Sequence, residues 1–127
     1  MNKDITNAFA GKLHVNRRLK KYVLRTVAKL SDDLIRKVTR DTWILGSVED
    51  AWAYVFHGDE LKGKHLIIVS DSLLDQPEQD IEWTIMHEIG HVILGHRNSI
   101  LVTQSRSEIR RQEREANSFA QKYLVGR

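Results

Sequence analysis

HEIGHVILGH, residues 87–96, places three histidines and one glutamate in an otherwise apolar run. On a helix, His87 and His91 lie four residues apart and therefore one above the other on one face. That spacing lets both imidazoles reach a single zinc ion at about 2.0–2.1 Å. Glu88, rotated about a third of a turn from His87, is too close in sequence to share that ligand geometry. It can instead reach a water on the metal and accept its proton. The pattern is HExxH, for which a metal hydrolase is one reading. The competing reading is a pair of core histidines hydrogen-bonded to backbone. Burial weighs against the latter, because an unpaired buried carboxylate is costly and a metal with its water satisfies all three groups.

The flanking residues predict the helix. SDSLLDQPEQD (70–80) reads as a connector ending in a helix start, with Asp75 and Glu78 at capping-box spacing and Pro77 in the first turn. Glu78, Asp80 and Glu82 suit the positive end of the helix dipole. The helix then runs through IEWTIMHEIGHVIL and should stop near Gly95. Apolar residues occupy nearly every side of it, which predicts a central, buried helix.

Two histidines need a third protein ligand if the fourth position is to stay open. His96 does not fit the metzincin arrangement HExxHxxGxxH. That pattern requires glycine at position 94 and histidine at 97, where this chain has Leu94 and Arg97. The better source is RRQEREANSFAQKYL (110–124), part of a helix expected over roughly 107–124. At about 100° per residue, Glu113 shares its face with Ala116, Asn117, Ala120 and Leu124, the small and apolar side. Glu115 points away, among Arg111, Ser118 and Lys122. Glu113 is therefore preferred to Glu115 as the third ligand. Asn117, one turn on, is placed to accept a hydrogen bond from the outer nitrogen of a ligand histidine.

Upstream, Asn16 to Arg40 carries one apolar stripe (Leu19, Tyr22, Val23, Thr26, Val27, Leu30) at helical spacing, with Asn16 as its cap. Ser31-Asp32-Asp33 either begins a second helix or lies within a continuing one. From Thr42 the period changes. WIL (43–45), AWAYVF (51–56) and HLIIVS (65–70) read as two or three short strands of an antiparallel sheet. Trp43, Trp52 and Trp83 read as packing residues. Gly90, which costs about 1 kcal/mol inside a helix relative to alanine, is expected to allow a close backbone approach beside the metal.

The chain of 127 residues, 41% hydrophobic and 29% charged, fits one globular domain spanning 1–127. It has no cysteine, so a metal must be held by His, Asp or Glu. No run approaches the roughly 20 apolar residues that span a bilayer, and the first twenty residues have no signal-peptide core. The expected compartment is the cytoplasm, with no membrane partner. The net charge of +3 hides a pattern of +8 over residues 1–40, −9 over 41–90 and +4 over 91–127. The basic start can serve nucleic acid or an acidic partner. The plainer reading is a solvated helix face packed on an acidic neighbour.

HEIGHVILGH followed by EREANSFAQKYL resembles the ImmA/IrrE family of zinc metallopeptidase-like proteins, in which HExxH precedes a helix of the form E-x-x-A-N-x-F-A. The resemblance covers about residues 65–124. It implies one zinc ion held by His87, His91 and Glu113, a gluzincin-like set, with Glu88 as catalytic base. It also implies a protein or peptide substrate, transcriptional repressors being the kind of target that such proteins cleave or bind. Where many members end this helix with Leu-Leu-Met-Pro, this chain reads Tyr-Leu-Val-Gly-Arg. It also lacks a recognisable helix-turn-helix or sensor domain.

The expected fold is α+β, a minimal zincin-like domain. A small antiparallel sheet of two or three strands packs with an N-terminal helix, the central HExxH helix and a C-terminal helix. The expected function is zinc-dependent peptide-bond hydrolysis. The rivals are a zinc-containing module that binds a regulator without turnover, and a nucleic-acid-associated protein using Arg17, Arg18, Lys20, Lys21 and Arg25. Nucleic acid is the less favoured partner, since only Tyr22 interleaves those charges. His57, His96, Tyr54 and Tyr123 are open candidates for stabilising the transition state.

Overall fold

The computed structural model describes residues 2–46, 65–69, 71–95 and 105–124. Along them run α1 (Asn2–Phe9), β1 (Leu13–His14), α2 (Arg17–Val27), α3 (Asp32–Asp41), β2 (Thr42–Gly46) and β3 (His65–Val69). A 3₁₀ turn (Asp71–Asp75), α4 (Glu78–Ile93) and α5 (Arg106–Leu124) complete the order. The architecture is α+β, helical for the most part. The expected strand AWAYVF, with Tyr54 and His57, and also His96, lies outside the described residues.

Two caps settle the reading of the basic first segment. The Asn16 side chain accepts from the Leu19 amide at 2.8 Å and starts α2. The Ser31 hydroxyl accepts from the Leu34 amide at 3.5 Å and starts α3. The stripe therefore breaks into two helices at residues 28–31, and there is no single N-terminal helix. α1 adds a third. Its eight residues are too short to show a helical period by themselves, since so short a helix depends on tertiary packing. That packing is supplied by Ile5 and Phe9, one turn apart and both buried.

The sheet order is β1-β2-β3, and both pairings are parallel, not antiparallel as the strand reading anticipated. The register sets Ile44 beside Ile67 and Leu45 beside Ile68. WIL and LIIV are unbroken apolar runs, lacking the alternation of a sheet with one wet face. Such runs belong to parallel strands buried on both sides. β2 shows this directly, with Ile44 and Leu45 on opposite faces and only 1% and 3% exposed. Parallel neighbours also need a crossover of a dozen or more residues. α2 and α3 fill that interval between β1 and β2.

α4 is the central element, packing on α5, α2, α3 and β3. Ile81, Ile85, Met86 and Ile89 are at most 2% exposed. With Phe9, Leu19, Val23, Val27, Val38 and Ile44 they form the core. Its start differs from the capping-box expectation. Pro77 is the N-cap and no side chain caps the helix, while Asp75 closes the 3₁₀ turn. Its end follows expectation, with Gly95 in the left-handed region at φ +71°.

The acidic start of α4 lies against the basic face of α2. Glu82 receives Lys29 at 2.9 Å and Arg25 at 3.6 Å, while Glu78 accepts from the Tyr22 hydroxyl at 3.1 Å. Part of the charge segregation along the chain is thus an internal pairing, of Arg25 and Lys29 with Glu78 and Glu82. Among the described residues, no helix is long and apolar enough to cross a membrane.

Candidate metal centre

His87 and His91 project from the last turns of α4, and Glu113 from the middle of α5. The Nε2 atoms of the two histidines are 3.1 Å apart. Glu113 spans both, with Oε2 at 3.0 Å from His87 and Oε1 at 3.1 Å from His91. The two rings meet edge to face at 86°, with centroids 4.7 Å apart. Among the described residues these three form the one grouping suited to a metal ion, with ligand atoms all within 4.8 Å of one another.

The donor set fits a zinc ion. A tetrahedral site with bonds of 2.0–2.1 Å separates neighbouring ligand atoms by about 3.3 Å, close to the observed triangle. Two imidazole nitrogens and a carboxylate facing one another bring together lone pairs, which require protons or a cation between them. Two histidines and one carboxylate also match the donor set of catalytic zinc sites. The histidine side chains are 14% and 7% exposed and Glu113 is 51% exposed, so the grouping is held on the core side and open on the other.

Close approach of α5 to α4 depends on small residues. Ala116 and Ala120 are fully buried on the inward face of α5. Gly90, on α4 between the two histidines, receives Phe119. A Cβ built there would meet Phe119 Cδ1, Cβ and Cγ at 3.1–3.2 Å. The close approach expected at Gly90 is therefore made by a side chain of α5.

The two glutamates of α5 separate as the helix face suggests. Glu113 joins the histidines, while Glu115 is exposed with Arg111 Nε at 4.0 Å. Asn117 lies exposed one turn beyond Glu113. Tyr123 is half-buried against Phe119, with ring centroids 4.9 Å apart. Glu88 is half-buried, is not one of the three grouped residues, and lines a cleft of about 180 Å³ between α4 and the β3 side of the sheet. Ile68, Thr84 and Ile85 share that cleft with it. Sequence reading missed these neighbours. Thr84 had a signal, being one helical turn before Glu88, whereas Ile68 comes from β3 through tertiary packing alone.

Residues 79–127 match the family Peptidase U49. That segment contains His87, Glu88, His91 and Glu113, so the part of the chain that builds the site is similar to a peptidase family. Comparison with curated proteins and with solved structures gave no match.

Proposed function

We propose that this chain is a zinc-dependent metallopeptidase that hydrolyses peptide bonds in a protein or peptide substrate. The observation that carries the reading is the convergence of His87, His91 and Glu113 at one point, in the segment similar to a peptidase family. The resemblance to ImmA/IrrE proteins adds the finer suggestion of a cytoplasmic enzyme acting on a transcriptional regulator.

Bound zinc supplies Lewis-acid polarisation of the scissile carbonyl and makes water acidic enough to attack at neutral pH. The protein's own groups do the rest. His87 and His91, fixed one turn apart on a buried helix, present two nitrogen donors. Glu113 contributes the negative charge that offsets the cation. Glu88 accepts the proton of the attacking water and returns it to the departing amine as the carbon–nitrogen bond breaks. Its place at the cleft, outside the ligand triangle, leaves its carboxylate available for that transfer. Of the five basic residues that would serve nucleic acid, Arg25 is paired with Glu78 and Glu82.

The test combines metal content and turnover. Protein purified without chelator should carry close to one zinc per chain and cleave members of a peptide pool. Glu88→Gln should keep the zinc and lose cleavage. Zinc binding with no cleavage of any peptide or candidate regulator by the wild type would instead favour a binding module without turnover.

A further inference from the structure

The cleft that Glu88 faces is built for an uncharged side chain. Its walls come from three elements: Ile68 of β3, Leu73 of the 3₁₀ turn and Ile85 of α4. Ser72 and Thr84 add neutral hydroxyls and Gln76 a neutral amide, and Glu88 is the one charged group that lines it among the described residues. Ile85 and Leu73 are buried at 2% and 7% exposure, whereas Ile68, at 39%, stands at the open rim. The volume of about 180 Å³ exceeds the roughly 150 Å³ that takes up a benzene molecule in an apolar protein cavity. Leucine, isoleucine, methionine or phenylalanine side chains fit that space.

From this arrangement we infer that the cleft is the specificity pocket for a substrate residue adjoining the scissile bond, and that it selects an apolar side chain over a charged one of either sign. The inference rests on the peptidase reading of the same site. An acidic side chain would enter an aliphatic pocket already holding the Glu88 carboxylate, unpaired and repelled. A basic side chain would pair with Glu88 and occupy the oxygen that must take the proton from water. An apolar side chain leaves Glu88 free and removes its own surface from water along Ile68, Leu73 and Ile85. Ile68, at the rim, then controls how large a residue enters.

Two readouts test this. In the first, the zinc-loaded protein is given peptides randomised at one position, and products are identified by mass spectrometry. Leucine-class residues should flank the cut with a preference of at least about tenfold over alanine, since each methylene in such a pocket is worth roughly 10-fold or more. Ile68→Trp should reverse that order toward alanine and glycine. In the second, isoleucine-methyl spectra of the zinc-loaded wild type are recorded with N-acetyl-leucinamide and with its aspartate counterpart. The Ile68 and Ile85 methyls should shift with the leucine compound alone. Cleavage with charged or indifferent preference, those methyls unmoved, overturns the pocket and leaves the peptidase standing. Methyl shifts without cleavage of any peptide leave the pocket standing and remove the peptidase. Neither response overturns both.

Discussion

Phe119 lies directly on Gly90, with its Cβ, Cγ and Cδ1 at 3.1–3.2 Å from where a glycine side chain would begin. Because Phe119 Cβ is fixed to the α5 backbone, rotating the ring cannot relieve an added methyl, and α5 itself must move. Glu113 rides on the same helix. Gly90→Ala gains about 1 kcal/mol of helix propensity and sets it against that displacement. The expected result is a small change in melting temperature and a loss of zinc affinity of about tenfold or more. Calorimetry and competition with a chromophoric chelator measure the two separately. Unchanged affinity would mean that α5 accommodates the methyl without moving Glu113.

Glu113→Ala removes the proposed third ligand, whereas Glu115→Ala removes only the far partner of an exposed 4.0 Å pair with Arg111. Loss of an outer hydrogen-bond partner of a metal ligand typically costs 10–100-fold in affinity, so loss of the ligand itself should cost more than about 100-fold. Glu115→Ala should titrate with zinc like the wild type. Equal losses in the two variants would discard the assignment of roles.

Glu88→Gln keeps the shape of the side chain and removes its basicity. General-base catalysis contributes about 10²–10⁴ to rate, and kcat should fall by that factor with zinc stoichiometry intact. A variant that still turns over at the wild-type rate would move the proton transfer to another group.

The contact between α2 and α4 carries a pH signature. Desolvation, then the hydrogen bond and the negative charge of Glu78, raise the Tyr22 pKa above its ordinary value of 10.0. A proton held more tightly in the folded state stabilises that state below pH 10, and the benefit is lost as pH rises through the raised value. Glu78→Gln removes the hydrogen bond to a charged acceptor and should lower the titration point. Phenolate absorbance of wild type minus that of Tyr22→Phe isolates it. At neutral pH, Glu82→Gln loses its pairing with Lys29 and Arg25. The cost should be about 1 kcal/mol, less at high salt, measurable by urea denaturation.

What was legible in the sequence were features written in local spacing. His87 and His91 lie on one helical face, Asn16 caps α2, and Gly95 ends α4. Glu113 parted from Glu115 by helix angle alone. Strand direction was not legible in that way. Period and composition identify WIL and HLIIVS as strands, but whether neighbours run parallel depends on where the connection returns, a property of the whole chain. The apolar continuity of LIIV was the available sign. Ile68 at the cleft and Phe119 on Gly90 are contacts between distant segments, with no trace in either segment's own pattern. Asp75 shows the opposite fault, a correct capping spacing whose residue was taken by the 3₁₀ turn.

Histidines from one helix and a glutamate from the next give an ion at this site a mechanical role besides its chemical one. Bound there, it rivets the last helix to the centre of a chain that has no cysteine for a covalent tie. An ion that binds only the folded form adds about 2.7 kcal/mol at a free concentration one hundred times its dissociation constant. Melting temperature should therefore climb with free zinc, and chelation should release α5 first, coupling the lifetime of the protein to the metal supply around it.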